Sequence, residues 1–221
     1  MKEKIFAFLL LIPLLSFPVN AAKEPPQIAL TFDDGPSAHT QRLLDYLKEN
    51  HVRATFFLVG SRVPYYPETV QRQFREGHEL GYHSYHHQDQ TCLSSRQIRH
   101  DYSLADQQLQ EITGSSYTLW RCPGGTYDKR VLNSVPLPHI CWSVDTMDWK
   151  TRNADAVCSA ILENARDGAI ILLHDLYGTS VDGVIRAIQI LQKQNYEFLT
   201  VSELLSRDGT PPQNAMTYFQ N

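Results

Sequence analysis

Residues 27–36 read QIALTFDDGP. The apolar run Gln27–Phe32 predicts a strand, and Asp33-Asp34-Gly35-Pro36 is a turn signal that ends it. Working outward, the same alternation repeats. Strands are expected at Ala54–Val59, Glu79–His83, Thr118–Arg121, Ile140–Val144, Ala169–Leu173 and Phe198–Val201. Helices are expected between them, at Thr40–Asn50, Pro67–Glu76, Ser94–Ile112, about Asp128–Asn133, Ala154–Ala165 and Val181–Lys193, with a last turn at Ser202–Leu205. The longest, Ser94–Ile112, opens on a capping box, Ser94 with Gln97, and ends before Gly114. Strands joined by helices imply parallel pairing with right-handed crossovers. Seven such strands predict an α/β barrel or an open doubly wound sheet, and both place their sites at the C-terminal ends of the strands.

One domain is therefore expected over residues 22–205, followed by a polar tail, 206–221, that frays. Residues 1–21 read as a secretory signal peptide. Lys2 and Lys4 precede the apolar run Ile5–Phe17, and Val19-Asn20-Ala21 offers a small-residue cleavage site. The destination is then secreted or periplasmic, with no membrane span left after cleavage. Four cysteines (Cys92, Cys122, Cys141, Cys158) in an oxidising compartment make one or two disulfides an expectation. With 20 Lys+Arg against 24 Asp+Glu the net charge is −4, which excludes a general basic surface for nucleic acid.

Polar residues collect just after the strands. Asp33-Asp34 follows the first, His83-Ser84-Tyr85-His86-His87 the third and Arg121-Cys122-Pro123 the fourth. Asp145-Thr146-Met147-Asp148-Trp149 follows the fifth and His174-Asp175 the sixth. Singly, each has a bland reading: a βα turn, a salt bridge, a hydrogen-bonded core histidine. Together, on one rim, they face one pocket. His83 and His87, four apart on a helical turn, would converge on one point, with His86 as an alternative ligand. Two imidazoles and a carboxylate leave open positions on a divalent ion, as a catalytic site requires. A second carboxylate beside it can serve as a base.

Over Ile28 to about Leu205 the chain resembles the polysaccharide deacetylases that share the NodB homology domain, carbohydrate esterase family 4. The resemblance is carried by Thr31-Phe32-Asp33-Asp34-Gly35, His83-Ser84-Tyr85-His86-His87, Arg121-Cys122-Pro123, Asp145-Thr146-Met147-Asp148-Trp149 and Ile171-Leu172-Leu173-His174. It implies a distorted (β/α) barrel of about seven parallel strands. It implies Asp34, His83 and His87 as metal ligands, Asp33 as general base and Arg121 as its partner. His174 would be the general acid tuned by Asp148, with Trp149 and, second to Asp148, Asp145 at the substrate. The family usually has an aromatic after the motif's proline. Here Gly124 keeps the backbone N–H that helps hold the oxyanion but opens the groove. The implied cofactor is one divalent ion, Zn²⁺ by ligand type, with Co²⁺, Ni²⁺ or Mn²⁺ as alternatives. The implied reaction removes N-acetyl groups from a GlcNAc-containing polysaccharide, peptidoglycan or chitin-type, by attack of a metal-activated water. An O-acetyl esterase on xylan and a non-catalytic glycan-binding protein are the rival expectations.

Overall fold

The computed structural model describes residues 24–220; the expected signal segment lies outside the described residues. Along the chain come β1 (Gln27–Asp33), α1 (Thr40–Glu49), β2 (Thr55–Leu58), α2 (Pro67–Arg75), β3 (Glu79–Tyr82), α3 (Ser95–Thr113), β4 (Leu119–Trp120) and α4 (Lys129–Leu132). Then follow β5 (His139–Ile140), β6 (Val144–Asp145), α5 (Asp148–Thr151), α6 (Ala154–Asn164), β7 (Ile170–His174), α7 (Gly178–Lys193), β8 (Glu197–Phe198), α8 (Val201–Leu205) and β9 (Thr217–Tyr218). The strands form one sheet in the order β6-β7-β1-β2-β3-β4-β5-β9, with β8 beside β1. The paired strands all run parallel. Among the described residues no helix is long and apolar enough to cross a membrane.

The sheet has to curl. β5 and β6 lie six strand spacings apart in its order, about 29 Å if it were flat. Yet only Cys141, Trp142 and Ser143 join them, a reach of about 14 Å at full extension. The single strand expected over Ile140–Val144 is thus two short strands at opposite ends of the sheet. The break arises because residue 141 onward leaves β4 and crosses the barrel mouth to pair with β7.

The tail also departs from the sequence expectation. Instead of fraying, Thr217–Tyr218 pairs with His139–Ile140. The His139 N–H donates to Met216 O (2.9 Å) and the Cys141 N–H to Tyr218 O (2.7 Å). Gln220 then bridges antiparallel to Ala169, so the tail sits in the gap between the sheet's two ends. The split strand and the tail together raise the seven expected strands to nine among the described residues. The cysteines differ too: all four are free thiols, Cys92 exposed and Cys122 and Cys141 buried. An even count says nothing of distance, and burial already sets these apart.

Strand parity divides the core. Ile28, Leu30 and Phe32 of β1 pack outward under the helices with Phe56, Leu80, Tyr82, Ile171 and Leu173. Ala29 faces the barrel interior with Phe57, Leu119 and Ile170, and α8 fills the interior with Val201, Leu204 and Leu205. Side chains two residues apart share a face. Continuing each inward set upward reaches Thr31 and Asp33, His83, Arg121, and Leu172 and His174. The apolar register of the strands therefore aims the polar rim.

Helix ends follow their sequence signals. Ser94 and Gln97 make both halves of the capping box and Gly114 closes α3 at φ 75°. α7 begins at Gly178, three residues earlier than its periodicity predicts, and the short helix α5 has no periodicity to reveal it.

Candidate active site

Asp33 and Asp34 stand side by side at the end of β1 and take different partners. Asp33 is buried and inward, with its Oδ1 2.7 Å from Arg121 Nη1. Arg121 is wholly buried. It donates to Thr31 Oγ1 (2.8 Å), Ile140 O (3.1 Å) and Cys141 O (2.9 Å). Its guanidinium lies 4.1 Å over the ring of Phe57. A buried cation with its donors this well matched offsets its desolvation and holds Asp33 in one orientation. Space for the Phe57 ring comes from Gly81, where a Cβ would stand 2.4 Å from Phe57 Cδ1.

Asp34 lies in the left-handed region at φ 71°. Its Oδ1 lies 2.9 Å from His87 Nε2 and 3.3 Å from His83 Nε2. One ligand atom from each of the three falls within 4.8 Å of the others. Burial alone would raise the Asp34 carboxyl, but the two imidazoles outweigh it and hold it well below the usual carboxylate range. His83 Nδ1 lies 2.9 Å from Arg121 O. As a donor there it leaves Nε2 with the lone pair, the outer-shell arrangement of a metal-binding imidazole. The donor set and its orientation fit a divalent ion of the zinc class. His83 and His87 are not on a helical turn, as their spacing predicts. They converge through a loop with Ser84 at φ 61° and His87 at φ 55°. His86 is outside the cluster and packs edge-on against Tyr85 at 4.6 Å.

On the other side stands His174, at the end of β7. Its Nδ1 is 2.8 Å from Asp148 Oδ1, and its N–H donates to Asp148 Oδ2 at 2.8 Å. Burial opposes a proton on this ring. The hydrogen bond and charge of Asp148, with Asp33 and Asp34 nearby, outweigh that and hold its pKa up at about 9. His174 Nε2 is 3.9 Å from Asp34 Oδ2. Asp145 is exposed and its Oδ1 accepts the Met147 N–H (2.8 Å), so it shapes the turn that delivers Asp148.

A cavity of about 340 Å³ joins these groups, walled by Gly124, Trp142, Asp145, Trp149, Leu172 and Tyr177. Trp149 is 45% exposed, and Gly124 adopts φ 60° with open space where a Cβ would be. The site residues expected from sequence therefore meet here. Thr31, Trp142, Leu172 and Tyr177 join them without having been assigned a role from sequence. Inward parity marks Thr31 and Leu172, and nothing local marks the two aromatics. A larger cleft of about 790 Å³ lies between α1 and α2. Two of its arginines are held in ion pairs, Arg72 with Asp45 and Glu76 and Arg53 with Glu203.

Known proteins share this chain's sequence pattern and fold. A family model described as polysaccharide deacetylase matches residues 20–136. Peptidoglycan-N-acetylglucosamine deacetylase PgdA of Listeria monocytogenes is 42% identical over 202 residues, 91% of this chain and 43% of PgdA. Peptidoglycan-N-acetylmuramic acid deacetylase PdaC of Bacillus subtilis is 40% identical over 193 residues, 86% of this chain and 41% of PdaC. The chain thus spans about two-fifths of the length of these curated relatives. A family 4 acetyl xylan esterase from Clostridium thermocellum, solved with a cobalt ion, superposes with a TM-score of 0.83 at 31% identity, covering 88% of this chain and 98% of that one. The chain belongs to the polysaccharide deacetylase family.

Proposed function

We propose that this protein is a metal-dependent hydrolase that removes N-acetyl groups from GlcNAc-containing polysaccharide, with peptidoglycan the first substrate to test and chitin-type oligomers the second. One observation carries the reading. Between the Arg121–Asp33 pair and the Asp148–His174 pair lies a three-donor cluster open to a cavity.

A divalent ion held by Asp34, His83 and His87 would polarise the acetyl carbonyl and acidify a water beside it. Asp33 supplies the base. Its Oδ1 is committed to Arg121, while Oδ2 points toward the cluster, 3.6 Å from His83 Nε2. The Gly124 N–H at the cavity wall supports the negative charge that develops on the acetyl oxygen. His174 holds the proton for the leaving amine at Nε2, because Asp148 fixes Nδ1 and favours the charged ring. Trp149 offers an exposed ring to the sugar. The peptidoglycan deacetylase relatives and the expected export of the chain support a wall substrate.

The test is acetate release by the purified chain from GlcNAc oligomers, peptidoglycan and acetylated xylan, after chelation and after restoring zinc. Zinc-restored release from the GlcNAc polymers supports the proposal. Release from xylan alone moves the reading to an O-acetyl esterase, the second reading, which the likeness to the Clostridium esterase favours. Silence on all three, with glycan binding retained, makes the chain a binding protein on this scaffold.

A further inference from the structure

Beside the cavity over Asp34 a second hollow of about 280 Å³ is lined by Gly124, Gly125, Tyr127, Cys141, Trp142 and Phe219. The two hollows share Gly124 and Trp142, so they form one continuous surface. Trp142 rests on the loop below it: a Cβ on Gly125 would lie 2.9 Å from Trp142 Cη2. A Cβ on Gly124 would meet nothing within 4 Å, so no side chain crowds this shared wall.

The far wall comes from the tail. Phe219 is 51% exposed, yet both its neighbours are tied down. Tyr218 lies in β9, where its carbonyl takes the Cys141 N–H at 2.7 Å. Gln220 bridges to Ala169, and its Oε1 accepts from Arg166 Nη2 at 3.0 Å. A large ring held between two anchored residues and left half in water is placed to meet a partner. None of the six lining side chains carries a formal charge, so the hollow suits an uncharged ligand with an apolar face. A pyranose ring presents such a face through its C–H bonds.

The geometry points to a second sugar subsite, in which Trp142 and Phe219 hold the ring next to the acetylated one in the same glycan chain. This rests on the deacetylase reading. It makes the polar tail a determinant of chain-length preference, and it gives the groove opened at Gly124 a wall on its far side.

The test uses the full chain with GlcNAc itself and its oligomers from dimer to pentamer, reading kcat and KM from acetate release. Phe219→Ala is expected to lower kcat/KM for the dimer and longer oligomers by about tenfold, through KM, and to leave the monomer unchanged. Phe219→Trp is expected to restore the advantage of the oligomers over the monomer. Phe219→Leu, which keeps apolar bulk without a ring, is expected to resemble the alanine variant and guards against a folding loss. Equal losses at every length, or none, would overturn the subsite. If the wild type releases no acetate at all, the deacetylase reading fails separately. Tryptophan fluorescence titrated with the pentamer then decides the subsite: weaker binding in Phe219→Ala supports it, and unchanged binding overturns it.

Discussion

Asp148 grips His174 twice, once at the ring and once at the backbone. One carboxylate oxygen faces Nδ1 at 2.8 Å and the other accepts the His174 N–H at 2.8 Å. Ring and main chain are fixed by the same group, which leaves Nε2 on the side of the cavity, 3.9 Å from Asp34 Oδ2.

Asp148→Asn removes the charge that outweighs burial at His174. Turnover on an N-acetyl substrate should fall by about 10²–10⁴-fold. The alkaline limb of the pH profile should move to lower pH, because the ring loses the partner that keeps its proton at about pH 9. Bound zinc, measured by elemental analysis, should stay near one equivalent. Wild-type turnover in this variant would remove His174 from the acid role.

Asp33→Asn and His83→Ala should separate base from ligand. The amide oxygen introduced by Asp33→Asn can still accept from Arg121, so metal content should hold while turnover falls by about 10²–10⁴-fold. His83→Ala removes a donor of the cluster and its contact to Arg121 O. Metal and activity should both be lost. Retained metal in His83→Ala would dismiss the three-donor site.

Gly81→Ala should destabilise the barrel from within. The new methyl would collide with the Phe57 ring, and Phe57 is packed in the interior beneath Arg121. Overpacking of this kind costs about 1–3 kcal/mol. Urea unfolding should show it, and activity should fall with it as Arg121 shifts. An unchanged midpoint would mean that the interior has slack.

Acid should weaken the fold through two buried histidines. Burial pushes His78 down to about 4 and His139 down to about 3. Each ring uses a nitrogen as acceptor: His78 Nδ1 from the Ala54 N–H (3.2 Å) and His139 Nε2 from the Cys122 N–H (3.2 Å). A protonated ring could not keep that bond. Their folded pKa values lie below the unfolded value of about 6.5. The stability they contribute is therefore full above about pH 6.5, and it is lost as pH falls toward about 4 and then about 3. Each can add a slope of at most about 1.4 kcal/mol per pH unit in that window. His78→Gln should flatten the slope between about pH 6.5 and about pH 4; an identical slope would clear His78 of any part in it.

The rim was legible because strand ends are local. Asp33-Asp34, Arg121 and His174 each follow an apolar run, and parallel topology gathers such ends without further instruction. α3 was legible to its capping box. What was hidden depends on distant pairing. Cys141–Ser143 reads as the middle of a strand, because nothing in those residues says that β5 and β6 bond to opposite ends of the sheet. Thr217–Tyr218 reads as a loose polar tail, because a strand held by backbone hydrogen bonds needs no apolar code. The i, i+4 spacing of His83 and His87 predicts a helix. Their convergence instead uses left-handed backbone at Ser84 and His87, which the spacing does not reveal.

Asp33 and Asp34 are the same chemical group, and only the phase of β1 tells them apart. Ile28, Leu30 and Phe32 pin that phase by packing under the helices. A slip of one residue would carry one carboxylate into the other's place and strip the other of its partners, and would also drive those three side chains into the barrel. The division of labour between two identical residues is thus enforced by grease several residues away. Any redesign of this barrel inherits the constraint: the outward face of β1 is part of the site's specification, though none of its side chains reaches the cavity.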